Sequence, residues 1–176
     1  MERAPDGHRL FLALRPPPDA AARIGDVRDA LQPHGHVANE RLHMTMGLLE
    51  DMATLDESIV ARARDALATI KAAPVHLCLD RLSTSSKTTC LVPEGRPPAL
   101  MELQRKIETA FVGAGLPLAS YWSFNPHVTL LYKPREKVSD AIMPISWRAD
   151  ELLLVHSLIG LTQHIVLARL PLTSAA

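Results

Sequence analysis

Short apolar runs of strand length alternate along this chain with segments in which apolar residues recur at helical spacing. The runs "RLFLAL" (9–14) and "ELLLVHSLI" (151–159) have the length and apolar content of buried strands. Helical spacing predicts helices in 16–32, from an N-cap at Thr54 to about Ala72, and in 97–115. This alternation predicts a single α+β domain over residues 1–176, in which helices cover a sheet.

Further segments complete the expected sheet. Strands are predicted in "RLHMTMGLL", "VHLCLDRL", "KTTCLVP", "FNPHVTLLY" and "HIVLARLPL", whereas "EKVSDAIMP" (136–144) is expected to form a short helix. Several connections are too short for parallel crossovers, so we expect mostly antiparallel strands. The order of strand, helix and strand recurs in both halves of the chain. This recurrence favours two similar lobes with their helices on the outside.

The overall charge argues against a protein that wraps a long nucleic acid. The chain has 19 Lys and Arg residues against 19 Asp and Glu, for a formal net charge of +0. Contact with many phosphates requires an excess of basic side chains, although one or two phosphates remain compatible with this balance. No apolar stretch has the length of a signal-peptide core or a membrane span. We expect a cytoplasmic monomer with no membrane partner, and reduced, buried thiols at Cys78 and Cys90.

The triplet His-x-Thr occurs twice, at His43–Thr45 and His127–Thr129, each time inside an apolar, strand-like run. Residues two apart in a strand point to the same face, so each histidine shares a face with its threonine. An imidazole and a hydroxyl together can bind a phosphate oxygen and transfer a proton beside it. Two such pairs flanking a phosphodiester supply the base and the acid that its cleavage needs. The alternative interpretation is structural, with threonines favoured by β-propensity and histidines half-buried and hydrogen-bonded.

Cationic and aromatic side chains near the motifs are candidates for substrate binding. Arg41 lies two positions before the first motif histidine, and Lys133 lies four positions after the second motif threonine. Both share the face of the motifs if no bulge interrupts the strands, and either can neutralise a phosphate. The alternative is a solvated cation at the end of a strand. An aromatic side chain before the second motif can stack on a base, as single-stranded RNA recognition favours: Tyr121, Trp122 or Phe124.

The remaining histidines are weaker candidates. Three lie in polar or Gly/Pro contexts and three lie in strands without a threonine partner: His8, His34, His36, His76, His156 and His164. A metal site is disfavoured, because no Cys or carboxylate falls at ligand spacing from either motif histidine. The pattern His-x-His occurs only as "HGH" in a turn. We therefore expect no metal and no other cofactor.

The strands "RLHMTMGLL" and "FNPHVTLLY" resemble the two signature motifs of the 2H phosphoesterases. They are most similar to the branch called 2'-5' RNA ligases or RNA 2',3'-cyclic phosphodiesterases. The likeness extends to "RLFLAL", "LDRL" and the two closing strands, so it covers nearly the whole chain. It implies a two-lobed α+β fold with a central cleft and metal-free acid–base catalysis on 2',3'-cyclic phosphate ends of RNA or oligonucleotides. By motif, His43, Thr45, His127 and Thr129 are then the catalytic residues.

The resemblance also implies His127 as the base and His43 as the acid, a 2'-phosphate product, and 2'-5' ligation as a possible reverse reaction. Family members often carry an Arg shortly after the second motif, where this chain has Tyr132 and Lys133. We take both as candidate substrate-binding residues. Two alternatives stay open. One is a phosphoesterase of a small cyclic nucleotide or sugar phosphate, and the other is a noncatalytic module that binds RNA ends.

Overall fold

A mixed sequence of strands and helices fills the computed structural model, which describes residues 4–31, 37–132 and 139–174. The strands of these ranges are β1 (Gly7–Leu14), β2 (Met44–Leu48), β3 (Val75–Thr84), β4 (Thr88–Val92), β5 (Val128–Tyr132), β6 (Ala141–Ala149), β7 (Glu151–Ile159) and β8 (Gln163–Pro171). The α-helices are α1 (Pro18–Leu31), α2 (Glu57–Thr69) and α3 (Pro98–Gly113), and a short 3-10 helix covers Asn39–Arg41. None of the described helices is both long and apolar enough to cross a membrane.

The strands form one sheet in the order β6-β3-β4-β5-β2-β1-β7-β8. Each neighbouring pair is antiparallel. The sheet divides into halves of four strands, and these halves meet between β2 and β5 at the paired residues Met44 and Val128. The predicted α+β class with two antiparallel lobes is therefore confirmed. The two strands that carry the His-x-Thr motifs, β2 and β5, lie side by side at the centre of the sheet.

The two central strands sit in matching units, β1-α1-β2 and β4-α3-β5. In the first unit, the register shifts between Leu12 and Ala13, which leaves Met46 of β2 as an extra residue. In the second unit, the register shifts between Thr89 and Cys90, which leaves Leu130 of β5 as an extra residue. Each motif strand thus carries a β-bulge one residue after its threonine.

The two faces of the sheet have different roles. Leu10, Leu12 and Leu14 of β1 are fully buried in the main core, together with the apolar faces of all three helices. Phe11 and Ala13, which alternate with them, belong to a smaller cluster on the opposite face with Leu153 and Val155 of β7. Helices therefore cover one face, and the other face is left for a cleft.

One strand differs from the sequence prediction. The segment that was expected to form a short helix, 136–144, runs from its described end into β6, which pairs with β3. Ile145, Trp147 and Ala149 are buried while the residues between them are exposed. That alternation has the period of a strand, and Pro144 is incompatible with the interior of a helix. The prediction of a short helix was wrong because the segment on which it rested, 136–144, ends before this alternation begins at Ile145.

Two smaller predictions also need correction. Helix α2 begins after Asp56, not Thr54, because the Asp56 carboxylate accepts hydrogen bonds from the backbone N–H groups of Ser58 and Ile59. Cys90 is buried as expected, but Cys78 is exposed, and both thiols are free. Ser83 rather than Cys78 is the residue of β3 opposite Cys90.

Candidate active site

The face of the sheet opposite the helices forms a cleft of about 580 Å³ over the two central strands. All four motif residues line it: His43, Thr45, His127 and Thr129. The rest of its lining comes from β1, β2, β4, β5, β7, β8 and the adjoining segments: Arg9, Phe11, Arg41, Leu48, Thr88, Trp122, Tyr132, Ser157, Leu158, Ile159, Gly160, Thr162 and His164. The two motifs therefore share one site.

The two motif histidines are held by the same local hydrogen bond. His43 Nδ1 lies 2.6 Å from the backbone oxygen of Arg41, and His127 Nδ1 lies 2.6 Å from the backbone oxygen of Asn125. A carbonyl oxygen can only accept, so each Nδ1 carries a proton and donates it. The other ring nitrogen, Nε2, is then free on each imidazole to give or take a proton in the cleft.

The bulges decide which residues follow the threonines into the cleft. Thr45 lies opposite Ala13 and Thr129 lies opposite Cys90. Because the next residue bulges out of register, the cleft face resumes at Leu48 on β2 and at Tyr132 on β5.

This shift affects the two candidates that follow the second motif. Strand parity without a bulge would have placed residues 131 and 133 on the catalytic face. Instead, Leu131 is buried and Tyr132 lines the cleft. The parity argument for Lys133 required a strand without a bulge, and that condition is not met. Lys133 itself lies outside the described residues.

The surroundings of the two histidines are not equivalent. Phe11 of β1 packs against His43 with ring centroids 4.9 Å apart. The matching position on β4 is Thr88, since Phe11 pairs with Leu48 and Thr88 pairs with Tyr132. Phe11 therefore places an aromatic ring against His43, whereas the matching position on the His127 side carries the hydroxyl group of Thr88.

This asymmetry has an electrostatic consequence for His43. Burial of its ring lowers the pKa of His43 to about 4, against the opposing effect of the hydrogen bond to the Arg41 carbonyl. The charges of Arg15, Arg41 and His127 lower it further. His43 is consequently a neutral imidazole at neutral pH, with an unprotonated Nε2.

The charged groups of the cleft are cationic. Arg41 lines it, as predicted, and so does Arg9, which is held by Asp51 in two hydrogen bonds of 2.7 Å. In the part of the chain that the structure describes, no aspartate or glutamate lines this cleft. A site with cations, hydroxyls and imidazoles but no carboxylates is suited to an anion.

The structure brings some of the aromatic candidates to the site and leaves others out. Tyr132 and Trp122 line the cleft, and Trp122 packs against the cluster that contains Phe11. Phe124 does not line it: its side chain packs against the main core, 6.2 Å from the Trp122 ring. Tyr121 is 61% exposed and also lies outside the cleft lining.

Two cleft residues were missed by the sequence reasoning. Phe11 was assigned to the core, since a run in which every residue is apolar does not reveal which side chains face the cleft. His164 was set aside for lack of a threonine partner, yet its ring centroid lies 5.4 Å from that of His43 and 5.2 Å from that of Phe11. No local pattern around His164 indicates this contact, because it joins β8 to β2.

The donor groups do not form a metal site. Among the described residues, no group of three or more His, Cys, Asp or Glu side chains is placed to hold a metal ion. The cleft offers imidazoles, hydroxyl groups and cations for binding and proton transfer, among them both His-x-Thr pairs and a third imidazole at His164.

Comparisons with known proteins agree on the family of this chain and on its fold. The family model of the 2'-5' RNA ligase superfamily matches residues 16–158. The structure of Escherichia coli LigT in apo form is similar over 96% of this chain and 99% of that chain, with 24% identity and a TM-score of 0.79. LigT in complex with 3'-AMP has 25% identity and a TM-score of 0.77 over the same shares of the chains. A protein of Thermus thermophilus, with 17% identity, has a TM-score of 0.71 over 93% of this chain and 97% of its own. No curated protein matches the sequence significantly.

Proposed function

The chain belongs to the 2'-5' RNA ligase superfamily, and on that basis we propose that it opens terminal 2',3'-cyclic phosphates of RNA to 2'-phosphates. The observation that carries this proposal is the pair of imidazoles whose Nδ1 atoms are both tied to backbone carbonyls in one carboxylate-free cleft. Each histidine brings a threonine hydroxyl from the same strand face. Together they provide a base, an acid and hydrogen-bond donors for one phosphate.

The reaction balances with the groups in the cleft. One neutral imidazole takes a proton from water through Nε2 as the water oxygen forms a bond to phosphorus. The bond between phosphorus and the ribose 3'-oxygen breaks, and the second, protonated imidazole gives its Nε2 proton to that oxygen. The product carries a 2'-phosphate, and each histidine ends in the protonation state in which the other began.

The surroundings of the histidines favour His43 as the base and His127 as the acid. A general base must start neutral, and burial lowers the pKa of His43 to about 4. His127 lies on the side of the cleft to which β4 contributes Thr88 and β5 contributes Tyr132. This division of roles is the reverse of the one that the family resemblance implied.

The phosphate charge is met by the threonines and Arg41. Both threonine hydroxyls can donate to nonbridging phosphate oxygens, and Arg41 adds a guanidinium on the His43 side. Removing one such donor from a site that stabilises developing charge costs up to about 3–4 kcal/mol of transition-state stabilisation. We therefore assign neutralisation of the phosphate charge to Arg41 among the described residues.

The nucleoside is proposed to lie on the apolar part of the cleft. Phe11, Leu48 and Trp122 form a continuous apolar surface there, and a base can stack on an aromatic ring for about 1–3 kcal/mol. The similar LigT has been crystallised with 3'-AMP, a nucleoside 3'-phosphate. A 5'-hydroxyl in place of water would attack the same phosphorus and give a 2'-5' linkage, which is the proposed ligase reaction.

The test is product analysis with a defined substrate. Purified protein is incubated with a short RNA that ends in a 2',3'-cyclic phosphate, and the end group is identified by mass and by phosphatase and alkali sensitivity. A 2'-phosphate is expected. A 3'-phosphate would contradict the proposed leaving group, and bound but unchanged RNA would make the protein an end-binding module.

A small cyclic phosphate is the second candidate substrate. The cleft volume of about 580 Å³ accommodates a single nucleotide, and the net charge of +0 does not favour a long RNA. Parallel assays with adenosine 2',3'-cyclic phosphate separate the two substrate classes by their kcat/KM values.

A further inference from the structure

Two arginines beside the cleft have no acceptor for their guanidinium groups. Arg15, just after β1, and Arg41, just before β2, are both half-buried. The Nε atom of each is enclosed without a hydrogen-bond partner, and among the described residues neither guanidinium makes a hydrogen bond or an ion pair. An enclosed guanidinium without an acceptor loses the hydration that stabilises its charge.

Two other arginines of the described chain, one half-buried and one buried, are paired. Arg9 makes two hydrogen bonds of 2.7 Å to Asp51. Arg28 donates to the backbone oxygen of Val37 at 2.6 Å and to the Asn39 side chain at 2.7 Å. The absence of acceptors at Arg15 and Arg41 is therefore a local property of this corner of the molecule.

His164 completes the corner from β8. Its Nδ1 atom is enclosed without a hydrogen-bond partner. Since an unpaired buried N–H group is rarer than an unpaired acceptor, the neutral ring carries its proton on Nε2, which is then a hydrogen-bond donor. Its ring packs edge-on to His43, with the ring planes 74° apart. The charges that act on His164 are those of His43, Arg41 and Arg15.

The carboxylates nearest to the corner do not neutralise it. Glu151 acts on Arg15, but its Oε1 accepts a hydrogen bond of 2.6 Å from Arg169. Glu40 lines a small pocket together with Arg15, but the two side chains form no ion pair among the described residues. The corner thus keeps two uncompensated positive charges beside a neutral imidazole.

We propose that Arg15, Arg41 and His164 form a subsite for a second phosphate, one nucleotide away from the phosphate that reacts. The inference rests on the proposed function, which places the reacting phosphate between the two His-x-Thr pairs. Arg41 lines that cleft. Arg15 follows Leu14, which pairs with Met44 in the antiparallel register of β1 and β2, so Arg15 continues its strand beside His43. Both cations therefore lie on the His43 side of the reacting phosphate.

The chemistry of an RNA end defines the ligand. The terminal nucleotide of an RNA with a 2',3'-cyclic phosphate has one other attached phosphate, on its 5'-oxygen. That phosphate is a phosphodiester in an oligonucleotide and a phosphomonoester in a 5'-phosphorylated mononucleotide. The subsite selects substrates that carry either group over a cyclic nucleotide that lacks it.

The experiment compares kcat/KM for three substrates: adenosine 2',3'-cyclic phosphate, its 5'-phosphorylated form, and the dinucleotide that ends in adenosine 2',3'-cyclic phosphate. The wild-type protein is expected to favour the last two by about tenfold, the effect of one charge-assisted hydrogen bond. Arg15→Gln should remove most of this preference, and Arg15→Lys should retain part of it. Arg148→Gln, an exposed arginine of β6 paired with Asp150, is the matched control and should leave all three values unchanged.

Each outcome either supports or overturns the subsite. A gain for both larger substrates supports the subsite for either source of phosphate, and a gain for the dinucleotide alone assigns it to the internucleotide phosphodiester. Equal kcat/KM values in the wild type, or an equal loss on all three substrates in Arg15→Gln, would overturn the subsite while leaving the phosphodiesterase intact.

If none of the substrates reacted, the proposed function would fail instead. Calorimetry then tests the subsite separately, with adenosine 2',5'-bisphosphate against adenosine 2'-phosphate. Tighter binding of the bisphosphate, reduced in Arg15→Gln, supports the subsite. Equal affinities overturn it.

Discussion

His43 and His127 show how two identical side chains acquire different chemistry from their surroundings. Each donates Nδ1–H to the carbonyl two residues earlier, at 2.6 Å in both cases. Only His43 is enclosed by the rings of Phe11 and His164. Burial disfavours the charged form of an imidazole, and this keeps His43 neutral. We therefore propose that position in the two lobes, not the motif, sets the division between base and acid.

The first prediction concerns the two motif histidines. His43→Ala and His127→Ala should each lower turnover of a 2',3'-cyclic phosphate by roughly 10²–10⁴-fold, because each removes one proton-transfer group. The double variant should lose far less than the product of the two effects, since the groups act as a unit. His76→Ala, at an exposed position of β3, is the control. A near-normal rate in either single variant would rule out the paired mechanism.

The pH dependence of kcat/KM tests the division of roles. His43 must be unprotonated in the free enzyme to act as the base, and its pKa is lowered to about 4. Activity should therefore persist as the pH falls below 6 and decline only as His43 takes up a proton near pH 4. An acidic limb close to the ordinary histidine value of about 6.5 would contradict His43 as the base.

At the scale of the elements, the bulges at Met46 and Leu130 position the site. After each histidine and threonine of the cleft, the bulge shifts the alternation by one residue, so that Leu48 on β2 and Tyr132 on β5 face the cleft again. Bulges re-aim side chains in this way and are common beside active sites. The paired bulges also explain why the two lobes present their motifs alike.

The N-terminus of α2 gives the prediction at this scale. Asp56→Ala should lower the melting temperature by about 2–4 °C, because it removes the acceptor for the N–H groups of Ser58 and Ile59. Thr54→Ala is the matched control and should have little effect, since Thr54 precedes the cap. Thermal unfolding followed by circular dichroism measures both. A larger loss in Thr54→Ala would show that the cap is assigned to the wrong residue.

At the scale of the whole molecule, curvature of the sheet assembles the cleft. Strands β8 and β2 are separated by β7 and β1, so a flat sheet would place them about 14 Å apart at normal strand spacing. The His164 and His43 rings are nevertheless 5.4 Å apart. The outer strands therefore curl over the cleft and enclose the His43 side.

This enclosure couples stability to pH. Burial lowers the pKa values of both His43 and His164 to about 4 in the folded protein. The unfolded chain takes up these protons near the ordinary pKa of about 6.5, so stability is fully present above that value and falls as the pH drops from 6.5 towards 4. Urea unfolding at pH 7 and pH 5 measures the loss, which should be smaller in His164→Gln. Equal losses in the two proteins would contradict this assignment.

Chelation tests the proposed mechanism as a whole. Activity should survive excess EDTA, because the described residues provide no group of three or more metal ligands and two imidazoles suffice for the proton transfers. Dialysed protein with and without added Mn²⁺ or Zn²⁺ gives the comparison. An enzyme that lost activity on chelation and recovered it with either metal would require a different mechanism.

Much of the architecture could be read from local patterns in the sequence. Seven strands and three helices follow from apolar periodicity, because a strand or an amphipathic helix that buries one face must repeat with that period. The two His-x-Thr pairs, and Arg41 beside the first, were likewise visible, since residues two apart on a strand share a face. The strand β6 was missed although Ile145, Trp147 and Ala149 alternate correctly.

Which side chains face the cleft, and what surrounds His43, depends on the tertiary structure. A bulge depends on the partner strand, so the sequence did not reveal that Tyr132 lines the cleft after Thr129. Contacts between strands that are far apart in the sequence produce no periodic pattern in it. The sequence therefore did not indicate that Phe11 and His164 lie beside His43. The sequence alone indicates the two His-x-Thr pairs to which we assign the chemistry. The curvature and register of the sheet determined their surroundings, because burial and charge are properties of neighbours in space.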